Sequence, residues 1–286
     1  MNNFKDYVPG ISIVTVCLNN AEELEKTIKS VISQKYANKE FIIIDGGSTD
    51  ETLDIINNYK EVISYWKSEK DNGIYDAMNK GISFAKGDFI NFLNAGDYYY
   101  SNDVLENVAI RARSVNDAGI IYGLSENFSL SEGLSYLSGF EIDRKVLWKG
   151  MPICHQSMFF NKRLFNELGP YDLSFGNMAD YEFLLRYLNS SKESKTIFIK
   201  KPLAKFNLYG LSDSDYLKNL EEIKKVSRKY YDFDFSKKTY FFLRKIKYYF
   251  LWVLKKIKIY KIYRKLKYSI LMNKTHNQSN GNKIAD

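Results

Sequence analysis

The 286-residue chain is short of the residues that mark several protein classes, with only two cysteines, four prolines and two histidines. Cys17 and Cys154 lie far apart and have the spacing of neither a zinc site nor a disulfide framework, so a reducing compartment is expected. Four prolines in a chain that is 45% apolar leave no large part that reads as disordered. The opening MNNFKDYVPG lacks a charged segment followed by an apolar stretch, so no signal peptide is expected. From Lys237 to Met272 the longest uncharged run is Tyr248 to Leu254, far below the roughly 20 residues that span a bilayer. A GxGxxG turn is also missing after the first apolar run, where CLNNAEE stands instead, and this argues against a dinucleotide-dependent dehydrogenase.

Length allows one large domain or two smaller ones. Net charge is +8, and its distribution is uneven: residues 236–286 hold 14 basic residues against one acid, while the preceding 235 hold 28 against 33. A mildly acidic body with one cationic appendage does not fit a nucleic-acid groove, so no nucleic-acid partner is expected. The expected location is cytoplasmic, peripheral on the inner face of the cell membrane.

The first hundred residues read as alternating strand and helix. Strands are expected at Ile11 to Cys17, Lys39 to Asp45, Ile63 to Trp66 and Phe89 to Leu93. Helices are expected over Ala21 to Gln34, around Leu53, Ile55 and Ile56 with Asp50 as N-cap, and over Ile74 to Ala85. Short apolar runs between helices imply buried parallel strands joined by right-handed crossovers. From Ile120 to Phe160, β-prone pieces separated by glycines suggest hairpins. Helical patterns return at Tyr181 to Leu188 and Tyr216 to Tyr231.

Two apolar runs each end at an aspartate in a small, glycine-containing loop: Phe41 to Asp45 in FIIIDGGSTD, and Phe89 to Asp97 in FINFLNAGD. In an open α/β sheet the carboxyl ends of neighbouring strands are where a ligand binds. Asp45, followed by Gly46, Gly47 and Ser48, would emerge beside unobstructed backbone, where it can accept hydrogen bonds from a ribose or a base N–H. The alternative is a helix cap, which Asp50 could also supply. FLNAGD ends its strand with Asn94, two small residues and Asp97. One carboxylate can there reach a hard divalent cation while the small residues admit a diphosphate. The alternative is an Asx-turn before a helix at Asn102.

Five blocks occur in order: ISIVTVCLNN, FIIIDGGSTDET, SEKDNGIYDAMNKGISFAKGDFINFLNAGD, CHQSMFF and ADYEFLLR. With them the chain from Pro9 to about Ser212 resembles the family 2 glycosyltransferases. Within that family it is most similar to enzymes of bacterial capsule, exopolysaccharide and lipopolysaccharide assembly. The resemblance implies the α/β GT-A fold, a Rossmann-like mixed sheet flanked by helices. It implies transfer from a nucleotide-sugar donor, most simply a UDP-sugar, to a lipid-linked oligosaccharide acceptor, with inversion. Carried over by position, Thr15, Asn19, Asp45, Asp71 and Asn94 belong to the nucleotide site and Asp97 to a Mg2+ or Mn2+ site. Asp180 falls at the catalytic base, with Glu182 the second choice, and His155 on the acceptor side. Two departures stand out. The acid pair after the second strand is Asp45 followed by Gly46, and the acid-x-acid metal motif is reduced to Asn94, Gly96 and Asp97. With one carboxylate, the metal would be held weakly until the sugar nucleotide adds phosphate oxygens.

Each acid also has a plainer account. Asp180 could cap the apolar helix that follows, Glu182 could pair with Arg186 four residues on, and His155 could be a satisfied core residue. From Lys237 to Met272, Phe242, Ile246, Tyr249, Val253, Ile257, Tyr260 and Tyr263 recur at steps of three or four among lysines and arginines. That is a basic amphipathic helix, expected to lie on an anionic membrane surface. Its apolar stripe could instead pack on the catalytic domain or on a second copy in a homodimer. The expected organisation is a catalytic domain over 1–212, with a nucleotide-binding half (9–100) and an acceptor half (101–212). A helical segment (213–235), the basic amphipathic region (236–272) and a disordered tail (273–286) follow. A sugar-phosphate nucleotidyltransferase would want a basic, glycine-rich phosphate loop where CLNNAEE is acidic. A non-catalytic membrane-associated module would have no need of Asp97 or Asp180.

Overall fold

In the computed structural model, residues 8–115, 117–129, 133–191, 194–208 and 216–256 are described. The chain divides into two compact units, Met1–Asp215 with Glu221–Tyr231, and Tyr216–Leu220 with Asp232–Asp286.

In the first unit the apolar runs become strands buried on both faces. The order is β1 (Ile11–Cys17), α1 (Ala21–Ile32), β2 (Lys39–Asp45), α2 (Thr52–Asn58), β3 (Tyr65–Ser68), α3 (Ile74–Phe84) and β4 (Phe89–Phe92). There follow β5 (Tyr98–Tyr99), α4 (Val104–Ser114), β6 (Ile120–Ser129), β7 (Leu134–Ser138), β8 (Met158–Asn161), α5 (Arg163–Leu168), α6 (Ala179–Ser190) and β9 (Thr196–Asn207). Side chains alternate across each strand, so Ile13, Phe41, Ile43, Phe89 and Ile121 face one core with Leu24, Ile28, Ile56 and Val108 of α1, α2 and α4. Val14, Val16, Ile42, Ile44, Phe92 and Tyr122 face the other, with Met78 of α3 and Phe183, Leu184 and Leu185 of α6. A sheet covered by helices on both sides is the result.

Strand order is β3-β2-β1-β4-β8-β6-β9-β5, with β7 paired to β6. β1 pairs in parallel with β2 and with β4, so the winding reverses between β1 and β4. Ligands of such sheets bind outside the carboxyl ends of the strands at that reversal. β8 lies antiparallel between β4 and β6, and β6 and β7 form the expected hairpin. The sequence expectation of a strand from Ile63 is two residues early. A backbone turn from Tyr59 through Ile63 continues out of α2; the Ser64 amide then donates to the Phe41 carbonyl of β2 at 2.8 Å, and the strand register begins at Tyr65. Nor is Asp50 the N-cap of α2. That position is Glu51, while Asp50 accepts from the Thr52 amide at 3.1 Å and from the Ala21 amide, the first of α1, at 3.4 Å.

Helix α7 (Tyr216–Tyr230) starts in the second unit and ends in the first, and α8 (Phe235–Lys256) belongs to the second. Within the second unit Arg244 donates from Nε to the Tyr216 hydroxyl at 2.6 Å, and Tyr216 stacks on Tyr248. Phe242, Ile246, Tyr249 and Val253, the first four residues of the expected apolar stripe, are all exposed. The rest of that stripe, and the tail from 257, lie outside the described residues. No helix among the described residues is long and apolar enough to cross a membrane.

Candidate active site

The loop after β4 is built against β1 and α1. Leu93 and Ala95 amides continue the ladder to the carbonyls of Val14 and Val16, at 3.0 and 3.2 Å. Gly96 then turns with φ 97°, a left-handed conformation open to glycine, and its amide donates to the Thr27 hydroxyl at 3.0 Å. That hydroxyl donates in turn to the Asp97 carbonyl at 2.9 Å. α1 thereby holds Asp97 beside the end of β4, at the point where the winding reverses.

Because β8 runs antiparallel to β4, residues entering β8 meet those leaving β4. His155 and Gln156 lie on the short 3-10 turn before β8. The Gln156 amide donates from Nε2 to Asp97 Oδ2 at 2.8 Å. His155 Nε2 is 3.3 Å from Asn94 Nδ2, and its Nδ1 is 3.5 Å from Asp180 Oδ2. Asn94, Asp97, His155 and Asp180, which span 86 positions of sequence, are thus brought together. Gln156 joins them, although no sequence feature beyond its position next to His155 singled it out.

Asp97 is 6% exposed, and burial pushes its carboxyl up to about 7, against the opposing effects of the Gln156 bond and the His155 ring. Asn94 Oδ1 is a buried oxygen with no hydrogen-bond partner. Asp180 stands in the first turn of α6, one residue past the first helical position, with Met178 as N-cap, so it is not the cap. A carboxylate there is favoured by the helix dipole. Tyr75 and Tyr171 lie beside it, and burial, followed by the Asp180 charge, holds both hydroxyls well above their ordinary range. Tyr75 donates to the Asn177 carbonyl at 3.3 Å, whereas the buried Tyr171 hydroxyl has no partner.

Glu182 is different. It is wholly buried, Oε1 accepts from Lys229 at 2.7 Å and from Tyr230, and Oε2 meets Arg186 at 2.9 Å. Two residues along a helix point to nearly opposite sides, so Glu182 faces α7 where Asp180 faces His155. Its carboxylate is spent on the fold, on the side of α6 away from His155.

Three of the expected nucleotide residues are also committed to the scaffold. Thr15 is fully buried and its hydroxyl donates to the Leu93 carbonyl at 2.6 Å. Asp45 is fully buried too, and does not emerge beside the glycines as its setting in the sequence suggests. It accepts from the Gly47 and Ser48 amides, at 3.1 and 2.9 Å, from the Ser68 hydroxyl at 2.6 Å and from the Ser48 hydroxyl. Burial raises its pKa, but these bonds outweigh it and hold the carboxyl below the usual range. Asn19, at φ 48°, accepts on its side chain from the Thr49 amide at 2.8 Å, and its own backbone amide donates to the Ser48 hydroxyl at 2.7 Å, stitching the loops after β1 and β2 together. Asp71 is half-buried, and its Oδ1 accepts from the Gly73 amide at 2.9 Å. A Cβ on Gly46 would lie 2.6 Å from Asp71 Oδ2, so the position after Asp45 is left empty for an acid that arrives from further along the chain.

Among the described residues no group of three or more His, Cys, Asp and Glu is placed to hold a metal. The buried Asp97 carboxyl and the orphaned Asn94 oxygen nevertheless fit a weak divalent site, while both ring nitrogens of His155 face protein groups. A cation there would remove the cost of the buried charge and satisfy the unpaired oxygen, with substrate oxygens completing the shell.

A family model described as "Glycosyl transferase family 2" matches residues 12–169. A PGL/p-HBAD biosynthesis glycosyltransferase of Mycobacterium tuberculosis is 33% identical over 221 residues, 74% of this chain and 84% of that protein. Among solved structures, S. aureus TarS 1-349 in complex with UDP-GlcNAc superposes with a TM-score of 0.61 at 16% identity, covering 79% of this chain and 68% of that one. The mannosyltransferase PcManGT from Pyrobaculum calidifontis, in complex with GDP-Man and Mn2+, gives 0.55 at 16% identity over 76% and 61%.

Proposed function

The chain belongs to glycosyl transferase family 2 and has the GT-A fold, and from this we propose that it transfers a sugar from a UDP-sugar to an acceptor hydroxyl with inversion at the anomeric carbon. The convergence of Asn94, Asp97, His155 and Asp180 at the carboxyl end of β4 carries this reading. Asp180 takes the proton of the attacking hydroxyl, a contribution of roughly 10²- to 10⁴-fold for a positioned base. His155, beside Asp180, orients the carboxylate, and the buried Tyr171 hydroxyl is a spare donor for the acceptor side. A bound Mg2+ or Mn2+ held by Asp97 and the Asn94 amide oxygen would supply Lewis-acid stabilisation of the leaving diphosphate. Asp71, set against Gly46, is the acid that reads the nucleoside, while Asp45 keeps the loop beneath it rigid.

The acceptor is a growing, lipid-linked surface polysaccharide. Support comes from the exposed apolar stripe on α8 in a region of 14 basic residues and one acid, which suits an anionic bilayer surface. Incubating the purified protein with a panel of UDP- and GDP-sugars and Mn2+ tests the function. Slow release of the nucleoside diphosphate from one UDP-sugar is expected, and release from a GDP-sugar alone would overturn the uridine assignment.

A further inference from the structure

We propose that Gln156 is a positioning residue for cation binding: its side-chain amide, held in one orientation by the Cys154 thiol, fixes the Asp97 carboxylate in the geometry that receives the metal. The inference rests on the metal reading above. Gln156 is 2% exposed, and each end of its amide has one defined task. Nε2 donates to Asp97 Oδ2 at 2.8 Å, and Oε1 accepts from the Cys154 sulfur. The two ends of an amide are alike in shape and opposite in polarity. Were it flipped, an oxygen would face a carboxylate oxygen, acceptor against acceptor, and Asp97 would lose its hold.

The thiol prevents that flip. A cysteine thiol is ordinarily protonated at neutral pH, and the Cys154 sulfur directs that hydrogen at Oε1. The main chain of Gln156 is anchored independently. Asn91 of β4 donates from Nδ2 to the carbonyls of Gln156 and Met158, at 3.0 and 2.9 Å, and Tyr99 of β5 donates to Asn91 Oδ1 at 2.8 Å. A neutral donor suits this role better than a lysine or arginine would. It orients one carboxylate oxygen without supplying a positive charge that would compete with the cation.

Binding of Mn2+ to the purified full-length protein, followed by the electron paramagnetic resonance signal of free Mn2+ alone and again with UDP, tests the proposal. Loss of a hydrogen-bond partner behind a metal ligand typically weakens metal affinity about 10- to 100-fold, and Gln156→Leu is expected in that range. Cys154→Ala should weaken binding by a smaller factor, while Cys154→Ser, whose hydroxyl can still donate, should restore it. In turnover, the KM for Mn2+ should rise while kcat at saturating Mn2+ stays near that of the wild type, a split that a general packing defect would not produce. Mn2+ affinity within about twofold of wild type in folded Gln156→Leu, against the loss expected for a missing partner, overturns the proposal. So does Cys154→Ser binding as weakly as Cys154→Ala, and this pair decides the matter if Gln156→Leu does not fold. Absence of Mn2+ binding by the wild type would be a different failure, that of the metal reading, and would take this inference with it.

Discussion

Replacing Asp97 by asparagine should stabilise the metal-free protein while destroying the metal site. The carboxyl is nearly fully buried and is pushed from 3.8 up to about 7. A carboxyl whose pKa is raised on folding binds its proton more tightly in the native state, so the associated stability is fully present below pH 3.8. It is lost as the pH rises through about 7. Roughly three pKa units at about 1.4 kcal/mol each amount to about 4 kcal/mol, of which about 3 kcal/mol falls between about pH 5 and pH 8. The amide introduced by Asp97→Asn would keep an oxygen to accept from Gln156 but would carry no charge at any pH. Urea unfolding of wild type and Asp97→Asn in chelator, at about pH 5, 6, 7 and 8, reads the effect of Asp97 and of the groups coupled to it, because the titrating groups that do not interact with Asp97 cancel in the difference. The variant's advantage should grow by about 3 kcal/mol over that range. Saturating Mn2+ should recover stability in the wild type above about pH 7 and leave the variant unchanged. A difference between the two proteins that is the same at every pH would mean that the Asp97 carboxyl is not raised by its burial.

Glu182→Gln leaves Arg186 and Lys229 without their shared carboxylate and should cost about 2 to 3 kcal/mol in urea unfolding, below the full buried-pair value because Lys229 is half exposed. Its kcat should stay within a few-fold of wild type at a temperature where the protein is folded, and a loss of roughly a hundredfold or more, the size expected for a base, would return Glu182 to the catalytic group. Gly46→Ala forces Asp71 away from a methyl that would stand 2.6 Å from Oδ2, so the donor KM should rise about tenfold with little change in kcat. Unaltered donor KM would remove Asp71 from the nucleotide site. Phe242→Asp combined with Phe250→Asp places two charges on the exposed apolar surface of α8 and should abolish sedimentation with liposomes containing anionic lipid; undiminished sedimentation would show that this surface does not touch the bilayer.

The strands around the site were readable because their physics is local. β1 and β2 are mostly apolar, β-rich runs followed by polar, turn-forming loops, and the expected limits coincide with the observed ones. Ile63 misled because an apolar residue in the turn that leaves α2 is buried without joining the sheet. At the site, the acids could be named but not their employment. Thr15 and Asp45 sit at strand ends where a ligand would be bound, yet Leu93, Ser48 and Ser68 use their polar atoms, and nothing short of the fold shows that. The meeting of His155 with Asn94 and Asp180 depends on β8 inserting antiparallel beside β4, a pairing between segments far apart in sequence. Helix geometry alone did hold one unused clue. Asp180 and Glu182, two positions apart on α6, cannot serve the same site.

On the proposed function Asp180 is the base of the sugar transfer and not part of donor binding. Single-turnover transfer by Asp180→Asn, measured beside donor affinity in the same protein, separates the two roles. Transfer should fall by roughly 10²- to 10⁴-fold with the donor Kd unchanged; near-normal transfer, or a loss explained entirely by weaker donor binding, would contradict it.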